Sequence, residues 1–199
     1  MLFANTGHKA LGINDDNGKT VGITTQANGA ADEGYYWNRG SSSNFTSILG
    51  ADYFPVAGIN NQNLSAGWDG IQASTFQIGD LDHETLGKLL PTDDFSIAYG
   101  LNDLNQIVGM SGSKGFIYES TSQSLLNANQ LNLSGVTSDN IKLINDINNN
   151  SSTFIGIATI NGVEHGFLAT LAVPEPSSLV LTAASLFMFA RFRTRKNRH

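Results

Sequence analysis

Ala10-Leu-Gly-Ile-Asn14 is a short apolar strand that ends in an asparagine turn, and it recurs as Val56-Ala-Gly-Ile-Asn60 and Ala98-Tyr-Gly-Leu-Asn102. A fourth version is assigned to Lys142-Leu-Ile-Asn145, which spaces the four asparagines by 46, 42 and 43 residues. Asparagine tolerates left-handed backbone and hydrogen-bonds its own turn, so it suits a hairpin connection. The pattern predicts four repeated units that start near residues 10, 56, 98 and 141.

Two further strands follow in each unit. The second strand is small and apolar and ends in or near glycine: Thr20-Val21-Gly22, Ser65-Ala66-Gly67, Ile107-Val108-Gly109 and Phe154-Ile155-Gly156. The third strand carries an aromatic residue: Gly34-Tyr35-Tyr36-Trp37, Thr75-Phe76-Gln77-Ile78, Gly115-Phe116-Ile117-Tyr118 and Gly166-Phe167-Leu168-Ala169. A fourth short strand is predicted at Thr46 to Leu49 and at Thr85 to Leu90. About four short strands per period near 43 residues are typical of a propeller blade.

Composition indicates an acidic, cysteine-free body. The chain has 199 residues, 40% of them hydrophobic, with 21 glycines and no cysteine. All 17 acidic residues precede Pro176 and five of the 11 basic residues follow it, so the body carries a net charge of −11 and the tail +5. An acidic body disfavours nucleic-acid binding. The lack of cysteine excludes thiol catalysis, disulfides and cysteine-ligated metal sites.

The last 27 residues have a different character. Val173-Pro174-Glu175-Pro176 precedes fourteen uncharged residues, 177 to 190, and then a basic cluster: Arg191, Arg193, Arg195, Lys196 and Arg198. The positive-inside rule keeps such a cluster in the cytoplasm. Residues 1–172 are therefore predicted to lie on the opposite side of the membrane, outside the cytoplasm. As a helix the apolar stretch reaches ~21 Å, short of the ~30 Å hydrocarbon core. This length favours a transient segment over a permanent anchor, which is the alternative.

Residues 173–199 resemble the PEP-CTERM sorting signal of Gram-negative bacteria. The resemblance implies export, recognition by an exosortase-type membrane peptidase, and removal of the tail near Pro174-Glu175-Pro176 on the way to the cell surface or matrix. Residues 8 to 170 resemble HAF-type extracellular repeats, although only His165-Gly166-Phe167 keeps the histidine of that pattern. That family implies repeat architecture and no particular chemistry. Because no signal peptide precedes the first unit, we expect upstream repeats and a signal peptide in the natural protein.

Three groups of polar residues are candidates for chemistry. Asp80, Asp82, His83 and Glu84 form the densest polar cluster, and paired carboxylates with a histidine could hydrolyse glycosides or phosphoesters. The alternative is that the acidic side chains only keep a surface loop solvated, as in many loops between strands. Asp146, Asn148, Asn150 and Ser151 resemble the start of a calcium loop, but Ser151 replaces its glycine and Ile157 its bidentate glutamate. Asp15-Asp16-Asn17-Gly18 could hold a cation, but a turn explains it fully.

The remaining candidates are aromatic and histidine residues. Stacking platforms for sugars could come from Tyr35, Tyr36, Trp37, Tyr53 and Trp68, with core packing as the alternative. His8, His165 and His199 show no metal-ligand spacing. No catalytic, cofactor-binding or metal residue is predicted.

These observations predict an all-β protein with two parts. Residues 1–172 form repeated four-stranded antiparallel units in a β-propeller-like array or an incomplete propeller, and residues 173–199 form the sorting and membrane segment with one short hydrophobic helix. The expected function is that of an exported module of the cell surface or matrix, with a binding or structural role and with neither catalysis nor a cofactor. Its expected partners are the membrane, the exosortase-type peptidase and extracellular polysaccharide. A surface-attached hydrolase of polysaccharide or phosphoester is the alternative.

Overall fold

The repeated strands form separate small sheets. The computed structural model describes residues 7–16, 18–25, 33–38, 45–47, 57–79, 83–120, 122–131, 133–134, 140–149 and 153–171. Sixteen strands lie in these ranges: β1 Gly7–Ile13, β2 Thr20–Thr25, β3 Glu33–Trp37, β4 Phe45–Ser47, β5 Gly58–Ile59, β6 Leu64–Trp68, β7 Ala73–Gln77, β8 His83–Gly87, β9 Ser96–Leu101, β10 Ile107–Ser111, β11 Lys114–Glu119, β12 Ser124–Asn127, β13 Leu133–Ser134, β14 Ile141–Ile147, β15 Thr153–Ile160 and β16 Val163–Leu171. A single turn of 3-10 helix occupies Ala128–Gln130.

Four antiparallel sheets of four strands each follow one another along the chain. Sheet 1 has the order β1-β2-β3-β4, sheet 2 β5-β6-β7-β8 and sheet 3 β9-β10-β11-β12. Sheet 4 has the order β14-β15-β16-β13, so its outer strand precedes the other three in the chain. The predicted all-β class and the four-stranded antiparallel units are confirmed. The described ranges contain no α-helix and show no closed propeller.

Among the described residues, neighbouring sheets pack through three apolar clusters. Each joins the second strand of one sheet to the first strand of the next, through the pairs Val21 with Ile59, Ala66 with Leu101 and Val108 with Ile147. Burying such side chains fully stabilises the fold by about 1.5–3 kcal/mol each. The array is therefore held together by contacts between consecutive units.

Glycines on the second strands make room for aromatic rings. Gly22, Gly109 and Gly156 lie opposite Tyr35, Phe116 and Phe167 on the third strands. A Cβ at Gly109 would lie 2.8 Å from Cζ of Phe116, and one at Gly156 would lie 2.8 Å from Cε1 of Phe167. A Cβ would lie still closer to the first-strand carbonyl oxygens, Ile97 O at Gly109 and Leu143 O at Gly156, so both the ring and the neighbouring backbone exclude a side chain there.

Two predicted alignments need correction. In unit 4 the turn asparagine is Asn148, not Asn145: its Oδ1 accepts from Thr153 N, as Asn14 Oδ1 accepts from Lys19 N. The Asn-rich insertion follows this turn, which displaced the match by three residues. In unit 2 the sequence aligned Phe76 with Tyr35 and Phe116, but the residue opposite the second-strand glycine, Gly67, is Ser74. Phe76 lies opposite Ser65 and fills the core from there.

Candidate functional site

The turns of all four units meet at one cavity. It measures about 400 Å³ and is lined by residues 11–15, 57–61, 99–101 with Asp103, and 145–149. These are the ends of the first strands of the four sheets and the turns that follow them. We call this space the central cavity. The repeat therefore places four copies of one local structure around a single site.

Glycines let the inner strands approach one another where they line this cavity. A Cβ on Gly12 would lie 3.0 Å from Cα of Gly58, and one on Gly100 would lie 2.9 Å from Cα of Asp146. Each unit thus presents bare backbone to the equivalent residue of the next unit. Asp146 takes the glycine position of unit 4.

The turn asparagines close their own turns. Asn60 Oδ1 accepts from Gln62 N and Leu64 N, both at 3.0 Å, and Asn102 Oδ1 accepts from Leu104 N and Gln106 N at 3.0 Å. Both side chains are buried. This is the local role predicted from the sequence.

The same asparagines also link consecutive units. Asn60 Nδ2 donates to Asn102 O at 3.1 Å, and Asn102 Nδ2 donates to Asn148 O at 3.2 Å. A buried amide destabilises the fold unless its polar atoms are hydrogen-bonded. In Asn60 and Asn102 the Oδ1 atom is satisfied by the residue's own turn, and the Nδ2 atom is satisfied by the next unit. Sequence reasoning missed this second role.

The residue after each turn asparagine forms a second set of links. Asp15 N donates to Asn61 Oδ1 at 2.9 Å, Asn61 N to Asp103 Oδ1 at 2.8 Å, and Asp103 N to Asn149 Oδ1 at 3.0 Å. Asp103 Oδ2 also accepts from the amides of Asn61 and Asn149. These short polar side chains at positions 15, 61, 103 and 149 were visible in the sequence as a repeated Asx-Asx pair.

The residue before Gly12, Gly58, Gly100 and Asp146, the matching position of the four first strands, differs from unit to unit. Leu11, Tyr99 and Asn145 are each the extra residue of a β-bulge on β1, β9 and β14, and Ala57 precedes the short β5. All four line the central cavity. Bulges re-aim side chains and are common beside binding sites. Four different residues at one structural position make the cavity chemically asymmetric on a repeated scaffold.

The lining is acidic and amide-rich. Among the described residues, the ionisable side chains that line it are Asp15, Asp103, Asp146 and Tyr99, with no lysine, arginine or histidine. Burial raises the pKa of Tyr99, whose hydroxyl lies 3.5 Å from Sδ of Met110. Such a lining offers many hydrogen-bond acceptors and donors and repels anions.

The predicted acidic cluster is only partly described. Asp80 and Asp82 lie outside the described residues. His83 Nε2 lies 4.0 Å from Asp69 Oδ2, and its ring stacks on Phe76 at 6.0 Å. Glu84 is exposed on the same strand. The hydrolase alternative stays a prediction.

Asp69 instead organises the hairpin between β6 and β7. Its Oδ1 accepts from Ile71 N at 2.9 Å and Gln72 N at 2.7 Å, and its Oδ2 from Thr85 Oγ1 at 3.2 Å. Burial raises the pKa of this carboxyl, but hydrogen bonds from Gln72, Ile71, Ser74 and Thr85 outweigh burial, and the pKa lies below its usual range.

The described part of the predicted calcium loop forms the end of β14 and the turn of unit 4. Asp146 Oδ1 accepts from Ile147 N, and Asn148 Oδ1 accepts from Thr153 N. Asn150 and Ser151 lie outside the described residues, as does Asn17 of the Asp15 to Gly18 turn. Within the ranges given above, no group of three or more His, Asp or Glu side chains is arranged to hold a metal ion.

Most of the aromatic candidates lie in sheets. Tyr35 is buried, Tyr36 packs against the cluster of Val21 and Ile59, and Trp37 and Trp68 are half-buried. Tyr53 lies outside the described residues, as do the side chain of His8 and all of His199. His165 is exposed on β16.

The whole predicted tail also lies outside the described residues. It comprises the sorting signal at Val173 to Pro176, the predicted C-terminal helix, and the basic cluster at Arg191 to Arg198. No helix in the portion that is described has the length and apolar character needed to span a membrane. Comparison of the chain with protein-family models, curated proteins and solved structures gives no match.

Proposed function

We propose that this chain is an exported, noncatalytic β-repeat module of the cell surface or extracellular matrix, which binds a neutral sugar unit of a polysaccharide in its central cavity. The observation that supports binding is the convergence of four turns on one asymmetric polar cavity of about 400 Å³. Cavities of this size suit small ligands. Amide and carboxylate groups can pair with sugar hydroxyls.

Delivery rests on the tail. Val173-Pro174-Glu175-Pro176, the apolar stretch and the basic cluster support sorting by an exosortase-type membrane peptidase in a Gram-negative envelope. In this proposal the apolar stretch crosses the membrane briefly as a short helix, with Arg191 to Arg198 on the cytoplasmic side. The four sheets belong to a propeller-like array.

Calorimetric titration of the full chain in mild detergent tests the binding site. We expect neutral mono- and oligosaccharides to bind, and Asn145→Ala to weaken binding about tenfold, because it removes an exposed cavity amide worth about 1.4 kcal/mol. Asn140→Ala is the matched control, because Asn140 is an exposed amide just before β14 and does not line the cavity. Equal weakening by both variants, or binding of Ca²⁺ with no sugar bound, would contradict the proposed site.

Intact mass with terminal peptide mapping tests the delivery. Protein recovered from membranes and from culture medium of the native host should differ at its C-terminus, and the released form should end near Pro174 to Pro176. Residues Arg191 to His199 retained in every fraction would instead indicate a permanent anchor.

A further inference from the structure

In units 2 to 4 the apolar residue just before the turn asparagine packs against the preceding sheet. Ile59, Leu101 and Ile147 are 7%, 9% and 6% exposed, and each shares a cluster with a second-strand residue of the sheet before it. Ile13 occupies the same position in unit 1 and is 65% exposed. Sheet 1 therefore presents one half of this contact to solvent.

Sheet 4 presents the other half. The residue before the second-strand glycine is Val21, Ala66 or Val108 in sheets 1 to 3, and each is 0% exposed. Its counterpart Ile155 is 45% exposed, and Leu168, directly opposite on β16, is 61% exposed. In sheet 3 the residue opposite Val108 is Ile117, which is 1% exposed. The pair that receives the next unit in sheets 1 to 3 is open in sheet 4.

We propose that copies of this chain associate head to tail, with Ile13 of one copy packed against Ile155 and Leu168 of the next. The occupant is inferred from the chain itself, which builds this contact three times between its own sheets and carries both halves of a fourth. The two halves differ, so the contact is heterologous and extends into a ring or a filament. This inference does not depend on sugar binding or on the sorting signal. Because units 1 and 4 both line the central cavity, the competing geometry is closure of sheet 1 on sheet 4 within one chain, which the double variant below tests.

Site-directed cross-linking tests the contact, since the chain has no cysteine of its own. Full-length Ile13→Cys and Ile155→Cys variants are purified separately in mild detergent, mixed, and treated with a short thiol-specific bifunctional reagent. We expect a covalent dimer joining the two variants. The matched control replaces Ile13→Cys with Ile71→Cys, because Ile71 is 59% exposed at the hairpin between β6 and β7, outside the contact. A dimer yield no higher than in this control overturns the proposal.

The double variant Ile13→Cys/Ile155→Cys separates two geometries. Head-to-tail association gives a ladder of covalent oligomers. A cross-linked monomer as the main product would overturn the proposal, because sheets 1 and 4 would then close on each other within one chain. Should the cysteine variants misfold, sedimentation of the unmodified chain and of Ile13→Asp gives the same decision: association lost in Ile13→Asp supports the contact, and unchanged or absent association overturns it.

Discussion

Gly12-Ile13-Asn14 and Gly58-Ile59-Asn60 have the same sequence and end the first strands of adjacent units, yet their surroundings differ. Ile59 is buried against sheet 1, whereas Ile13 is exposed because no described sheet packs on that side. Local sequence therefore fixes the turn, and the neighbouring unit fixes its burial. Stability in such an array is approximately a sum of unit terms and nearest-neighbour terms.

The sharpest test of this difference is the same substitution at both isoleucines. Ile59→Ala leaves a void between sheets 1 and 2 and should lower the free energy of unfolding by about 2–5 kcal/mol. Ile13→Ala removes an exposed side chain and should change it by less than about 0.5 kcal/mol. Urea unfolding followed by circular dichroism, at concentrations where the chain is monomeric, measures both. Equal losses at the two positions would contradict the packing described here.

The polar links between units give a second, smaller contrast. Asp103 accepts hydrogen bonds from units 2 and 4. Asp103→Ala leaves these donors without an acceptor and should lower the free energy of unfolding by about 1–3 kcal/mol. Asp15 holds the equivalent position in unit 1 and its side chain is exposed, so Asp15→Ala is the matched control with little expected cost. The comparison uses the same urea titration. A control that loses as much as Asp103→Ala would show that the carboxylate acts within its own turn.

Much of this architecture could be predicted from the sequence. Period-two patterning and turn asparagines identified the first three strands of units 1 and 3 because their local chemistry matches their final structure, whereas the fourth strand of unit 3, Ser124–Asn127, was not predicted. Unit 4 was misaligned, because Asp146 replaces the turn glycine and an Asn-rich segment follows Asn148. The outer strand of sheet 4 was also missed. It comes from residues 133–134, and strand order across a sheet is not encoded in local pattern.

The candidate site was harder to predict. Tyr99 and Asn145 reach the cavity through β-bulges, which shift a residue without any marker in the sequence. The convergence of four distant turns is a tertiary property. The acidic cluster at Asp80 to Glu84, which is dense in sequence, has no such convergence among its described residues. Local density of charge was therefore a poorer guide to a site than recurrence of one turn.

The interior and outer sheets also differ in the hairpins that join their second and third strands. This difference predicts a dependence of stability on pH, which is the smallest effect expected here. The hairpin of interior sheet 2 is held by Asp69 and bonds to sheet 3 through Ser96 N and Ile71 O at 3.2 Å. The corresponding hairpin of sheet 4 turns at Asn161-Gly162 and is exposed. Of these two hairpins, only that of sheet 2 contains an ionised carboxylate whose pKa lies below its usual range.

Because the folded state lowers the pKa of Asp69, its contribution to stability is full above the unfolded pKa of about 3.9 and is lost as pH falls through the folded value. Asp69→Asn removes this contribution, so the difference in unfolding free energy between wild type and variant should be largest near neutral pH and shrink below pH ~4. Thr85→Val, which removes one hydrogen bond to Asp69, should shift the carboxyl titration observed by NMR upward. A difference between wild type and Asp69→Asn that stays constant with pH would mean that Asp69 acts through hairpin geometry alone, and the interior and exposed hairpins would then differ in packing and not in charge.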